Sequence, residues 1–139
     1  MYEEYSCQAL PSKKYRELLG SAICVFNSNN QFIIENILRI DNSNYNWYEL
    51  IDKTSGELSE PIKDTITKVS DTKITILFSA LISKRNRIIH SFQITKDDEQ
   101  ILSTKTKKHE QYIITEGYLL DFIKENEQLS SMLHEFRGF

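Results

Sequence analysis

Apolar residues recur at three- and four-residue spacing from Tyr15 through Leu18, Leu19, Ala22, Ile23 and Phe26, and Ile33, Ile34, Ile37 and Leu38 carry the same stripe onward in phase. The polar run Asn27-Ser28-Asn29-Asn30 lies between the two halves without shifting their register. A stripe kept in phase across such a run predicts one long amphipathic helix, bent at the run if anywhere, over two unrelated ones. A helix of that length has one face to bury, and burying it against further helices commits the chain to a bundle.

Punctuation along the chain supplies the partners. Pro11 ends an irregular lead-in over residues 1–11, Ser12 offers a capping hydroxyl, and the turn-rich run Asp41-Asn42-Ser43-Asn44 closes the long helix. A short helical piece carries Trp47, Tyr48, Leu50 and Ile51 and closes near Gly56. Ser59-Glu60-Pro61 predicts the next helix entry, with Ile62, Ile66 and Val69 on its inner face. A further helix begins at Asp71 or Thr72, with Ile74, Leu77, Leu81, Ile88 and Ile89 mostly inward. Residues 92–105 lose the helical period: Phe92 and Ile94 alternate with polar neighbours around a Lys96-Asp97-Asp98-Glu99 turn, which predicts a small β-hairpin. Thr115 caps the last helix, which runs through Leu119, Phe122, Ile123, Leu129 and Leu133 to Gly138. The expected fold is mostly α, a four- to five-helix bundle with a small β-hairpin before the last helix, in one domain spanning residues 1–139.

Several function classes are disfavoured at this level. The net charge of −3 argues against a protein that coats nucleic acid non-specifically, although Lys84, Arg85 and Arg87, and then Lys105, Lys107 and Lys108, can each build a local basic face. Cys7 and Cys24 form no paired motif, which fits reduced thiols, and Cys24 reads as a small buried residue. The three histidines, His90, His109 and His134, lack metal-ligand spacing, so neither a metal nor any other cofactor is expected. The acidic start Met1-Tyr2-Glu3-Glu4 and the lack of a long apolar run predict a cytoplasmic protein away from the membrane.

The chemistry-bearing stretch is Lys84-Arg85-Asn86-Arg87-Ile88-Ile89-His90, near the C-terminal end of a predicted helix. Moving protons near neutral pH suits imidazole, and a guanidinium fork matches the oxygens of a phosphate while staying charged. Around the helix axis, Asn86 and Arg87 lie within roughly 60° of His90, whereas Arg85 is displaced by roughly 140°. One helix therefore aims Arg85 and His90 at a common phosphate poorly. Two copies meeting across a twofold axis can pool them.

Within its wider context, Ser79 to Phe92, this stretch resembles the signature of the HEPN superfamily, in which an Arg and a His four to six residues apart mark metal-independent endoribonucleases. Arg85, Asn86 and His90 match that pattern. The resemblance implies a homodimer with a composite site that cleaves RNA through attack of the ribose 2′-hydroxyl, in a defence or stress setting such as a toxin or abortive-infection effector. His90 would act as acid and base, Arg85 as phosphate clamp and Asn86 in support, with Lys84 and Arg87 as RNA-binding residues. An antitoxin or regulatory protein is a further implied partner. In one subgroup a nucleotidyltransferase antitoxin modifies a Tyr two residues after the His; here that position is Phe92, which has no hydroxyl to modify. The alternative is a non-catalytic HEPN-like dimeric module that binds RNA, a nucleotide or a protein partner. Glu35 and Asn36 are expected at the solvent face, and His109 and His134 carry no assigned role.

Overall fold

A computed structural model describes residues 2–138. Helix α1 spans Lys13–Ile40, unbroken through the asparagine-rich run. Ser12 Oγ accepts from the Tyr15 N–H at 3.1 Å, satisfying one of the free donors of the first turn. At the other end the Asp41 carboxylate accepts from the Ser43 and Asn44 backbone and closes the turn. Arg16 draws the lead-in against this helix through Glu3 at 2.6 Å and the Pro11 carbonyl at 2.8 Å.

Helix α2 (Trp47–Asp52) buries only Leu50. A 3-10 turn (Ser55–Leu58) follows, then α3 (Ser59–Ile62), which continues directly into a π turn (Lys63–Thr67). The expected Ser59 cap is not the entry to this segment. Thr54 and Glu57 form a reciprocal capping box instead, one turn earlier, so Ser59 already lies inside the helical run. Ile62 and Ile66 are buried as expected, but Val69 is 62% exposed. The wider π turn adds a residue and shifts the phase before Val69 is reached.

Helix α4 (Lys73–Ile89) buries Ile74, Phe78, Leu81 and Ile88, a stripe at three-, four- and seven-residue spacing. Ile89, expected inward, is the last residue of the helix and is 53% exposed. Strands β1 (Phe92–Lys96) and β2 (Glu99–Lys105) form the expected hairpin, pairing Phe92 with Ser103 and Lys96 with Glu99. Asp97 and Asp98 both adopt positive φ (51° and 63°), the backbone of a two-residue turn that matches strand twist. A third strand, β3 (Gln111–Ile113), adds antiparallel to β2. Helix α5 (Glu116–Arg137) starts at a Thr115 cap and ends on Gly138, whose φ of 95° is the left-handed stop that glycine adopts without strain.

The described residues are thus mostly helical, five α-helices with a small three-stranded antiparallel sheet before the last. Contacts fix the helix directions. Lys14 meets Glu116 at the start of α1, Asn29 meets Asn126 midway, and Phe32 meets His134 further on, so α1 and α5 run parallel. Lys84 meets Glu125 while Ile74 shares a groove with Met132, so α4 runs antiparallel to α5. Phe26 stacks between Phe78 and Phe122, at 5.9 and 6.2 Å, where the three helices meet. Tyr15 ties the start of α1 to the sheet: its buried hydroxyl donates to the Ile114 carbonyl at 2.6 Å and accepts from the Leu102 N–H at 3.4 Å. No helix among the described residues is long and apolar enough to cross a membrane.

Cys24 is exposed, contrary to the sequence expectation. It sits about 200° from both Ala22 and Phe26 on the helical wheel, on the side away from the buried stripe.

Candidate functional site

The end of α4 closest to the sheet carries the Arg–His motif, and the structure separates its members by environment. Arg85 points inward. Its guanidinium carbon lies 4.8 Å from the centroid of the buried Phe26 ring, capping the aromatic stack of the core. Its Nε is buried without a hydrogen-bond partner, and no carboxylate among the described residues comes within ion-pair distance of it. Partial burial lowers its pKa from the ordinary arginine value, because desolvation disfavours the charged form.

His90 is the opposite case. It is the C-cap residue of α4, exposed, with its backbone N–H bonded to the Asn86 carbonyl at 2.9 Å. Asn86, half-buried and one turn before it, shares its side of the helix. Within one chain, then, Asn86 and His90 lie together, and Arg85 turns toward the core.

Lys84 and Arg87 both have partners inside the chain. Lys84 forms an ion pair with Glu125 of α5. Arg87 donates to the Lys105 carbonyl at the end of β2. That contact brings the β2–β3 connection, with Lys107 and Lys108 exposed on it, beside the last turn of α4, so one of the basic clusters visible in the sequence borders the motif. Within that connection Thr106 Oγ1 accepts from the Lys108 and Glu110 N–H groups, and His109 takes the left-handed backbone at φ 67°.

Sequence reasoning missed Glu125 as a neighbour of the motif; beside it lies the Tyr112–Tyr118 pair, rings 6.0 Å apart, which the sequence leaves open as base-stacking residues or, more often, core aromatics. Burial pushes the Tyr118 phenol well up, and the adjoining Tyr112 hydroxyl and the Glu125 charge add to it, so it stays a neutral O–H donor at any ordinary pH. Arg87 is close enough to oppose that shift. Nothing in the linear sequence links α5 to the motif; only the antiparallel packing does.

No family model, curated protein or solved structure matches the chain.

Of the more distant residues considered from sequence, Glu35 is exposed as expected. Asn36 is buried instead: its amide donates to the Phe32 carbonyl at 2.9 Å and its oxygen accepts from Arg39 at 3.2 Å. It serves the C-terminal end of α1 and does not orient Arg85. Trp47 and Tyr48 are exposed and meet edge to face, at 5.6 Å. Among the described residues no three His, Cys, Asp or Glu side chains converge as metal ligands.

Proposed function

We propose that the chain is a metal-independent endoribonuclease of HEPN type that works as a homodimer. The observation that carries this reading is Arg85, a partly buried guanidinium with an unpartnered Nε and no counter-charge. Leaving such a donor unsatisfied costs about 1–3 kcal/mol, and chains seldom retain that cost without a use for it. A phosphodiester supplies the missing anion.

His90, exposed at the helix end, accepts the proton of the attacking ribose 2′-hydroxyl or delivers one to the departing 5′-oxygen. The products are a 2′,3′-cyclic phosphate and a 5′-hydroxyl. Asn86 lies one turn away to hold the imidazole or a phosphate oxygen, and Arg85 stabilises the added charge of the phosphorane. Because Arg85 and His90 diverge around one helix, the composite site needs a second α4. The exposed stripe Ile76, Ala80 and Ser83 on α4, which continues in phase to Arg87 and His90, gives a small-sided, partly apolar face for a second copy. Arg87 and the lysines of the β2–β3 connection flank that face as RNA-backbone contacts, with Lys84 in a secondary part. A role in defence or stress, as a toxin or abortive-infection effector held by an antitoxin, fits such chemistry.

The test is incubation of purified protein with single-stranded RNA in EDTA. Expected are fragments ending in 2′,3′-cyclic phosphate, lost in His90→Ala. Undiminished cleavage by that variant would overturn the assignment. The divergence of Arg85 from His90 favours a second reading, a dimeric module that binds RNA, a nucleotide or a protein without cutting. RNA retention by the wild type with no cleavage would decide for it.

A further inference from the structure

Helix α2 leaves most of its side chains in water. Of its six residues only Leu50 is buried. At about 100° per residue, Ile51 lies about 40° from Trp47 and Asp52 about 40° from Tyr48, while Leu50 lies about 160° from Tyr48. Trp47, Tyr48 and Ile51 therefore share one continuous outer face, 42%, 77% and 37% exposed. The two rings meet edge to face at 5.6 Å and hold each other in place. Single exposed apolar side chains are ordinary, whereas three contiguous ones, two of them large aromatics, have the composition of an interaction surface.

The charge around this face is negative. From Asp41 to Asp64 the chain carries six carboxylates and two lysines. Two of those carboxylates stand on α2 itself, both exposed: Asp52 beside Tyr48, and Glu49 about 60° beyond it. Neither has a cation within ion-pair distance among the described residues. Just before the helix, Tyr45 donates to Asp64 at 2.8 Å. That carboxylate, with burial and the Asp41 and Glu60 charges adding to it, holds the phenol above its ordinary pKa. The parallel helices α1 and α5 also end here and bring the negative ends of two dipoles. Arg39 and Arg137, in their last turns, answer those ends and border a groove beside Trp47, whereas Tyr48, Glu49, Ile51 and Asp52 lie outside it.

We propose that the outer face of α2 docks a basic segment of a partner protein, one that sets Arg or Lys on either side of a large apolar residue. The apolar side chain packs on Tyr48 and Ile51. A cationic head lies over the Trp47 or Tyr48 ring, within about 6 Å of its centroid, and Glu49 and Asp52 pair with the flanking cations. Charge complementarity selects this occupant, since the same carboxylates repel a nucleic-acid strand or an acidic surface. The face lies at the end of the bundle away from His90, because α4 runs antiparallel to α5. The inference stands apart from cleavage at the other end.

Trp47 is the only tryptophan in the chain, so its fluorescence reports this face. The full chain is titrated with three short capped peptides of equal length: alternating Arg-Leu, alternating Arg-Ser and alternating Glu-Leu. Expected are a saturable change in emission with the first, binding about tenfold weaker or worse with the second, which lacks the apolar anchor, and none with the third. Tyr48→Ser, and Glu49→Lys combined with Asp52→Lys, should each weaken binding of the Arg-Leu peptide about tenfold or more, the scale of a lost charged contact. Glu49→Gln with Asp52→Asn, read the same way, covers a failure of the charge-reversed variant to fold. No saturable change at millimolar Arg-Leu peptide, equal binding of the Arg-Leu and Arg-Ser peptides, or unchanged affinity in the folded variants would overturn the proposal. So would saturation by a single-stranded deoxyadenosine oligomer, which would make the occupant a nucleic acid. Self-association of the chain alone in sedimentation, abolished by Tyr48→Ser, would overturn it too, by making the occupant a second copy.

Discussion

Arginine stacks on phenylalanine both at the centre of this bundle and at its rim, and the two places differ in what surrounds the stack. Arg85 lies over Phe26, which is fully buried and stacks with Phe78 and Phe122. Arg39 and Arg137 lie over Phe136 and Phe32 at the rim, and both residues are exposed. At the rim the cation keeps its hydration, so the stack costs little and serves to orient. Inside, the same contact is attended by a dehydrated Nε, and the ring attraction offsets the lost water only in part. The inner arginine is therefore a poised charge and the outer pair a positioned one.

The largest effect that tests this contrast is Phe26→Ala. Removing the shared ring takes out the centre of the core and should cost about 3–5 kcal/mol, read as a drop in the urea midpoint. Phe136→Ala, at the half-buried rim, should cost clearly less. Equal losses would mean that the two stacks are not distinct in kind. Of similar free-energy size, but in activity alone, is His90→Ala: about 10²–10⁴-fold slower RNA cleavage at unchanged stability, because the side chain is exposed.

Two buried polar groups should then respond with opposite sign. Tyr15 is fully satisfied, so Tyr15→Phe strips the Ile114 carbonyl of its donor and should cost about 1–2 kcal/mol. Burial raises the Tyr15 pKa above its ordinary value of 10.0. The folded state thus holds the phenolic proton more tightly than the unfolded chain. The resulting stabilisation is fully present below about pH 10 and is lost as pH rises through the folded-state pKa. The phenylalanine variant should show a weaker alkaline dependence in denaturation midpoints measured across pH, retaining the share of Tyr118. Arg85→Met, which fills a similar volume without the unsatisfied donor, should instead stabilise the fold by about 1 kcal/mol while abolishing cleavage, the trade-off expected of a functional group held at a cost. A loss of stability on that substitution would show Arg85 to be a structural residue.

The helices were legible because their stripes are long. Ser12, Thr115 and Gly138 punctuate them as capping chemistry predicts, and the hairpin turn at Asp97-Asp98 stood out between alternating strands. What escaped was short or out of phase. Strand β3 has three residues and no period of its own, and the π turn reset the face that Val69 was expected to share. Cys24 was judged by its apolar neighbours, whereas angle around the axis decides burial; Ile89 keeps the inward angle but is the last residue of its helix. At the candidate site the motif residues were legible as a chemical set, but not the inward turn of Arg85. That depends on Phe26 of a different helix, and no local pattern encodes such a contact.

The smallest expected effect is also the sharpest for the outer stack. Arg39→Met should change stability by no more than about 0.5 kcal/mol, because the guanidinium is hydrated before and after folding. Its one described hydrogen bond, to Asn36, leaves the Asn36 amide still bonded to the Phe32 carbonyl. Arg39 also sits in the last turn of α1, where a cation favours the negative helix end, worth about 0.3–1 kcal/mol at an exposed position and screened by salt. Chemical denaturation at low and high salt separates the two contributions: any loss in Arg39→Met should shrink as salt rises. A salt-independent loss above about 1 kcal/mol would instead place the stack on Phe136 among the packing contacts of the fold, and the distinction between an inner poised cation and an outer positioned one would fail at its outer end.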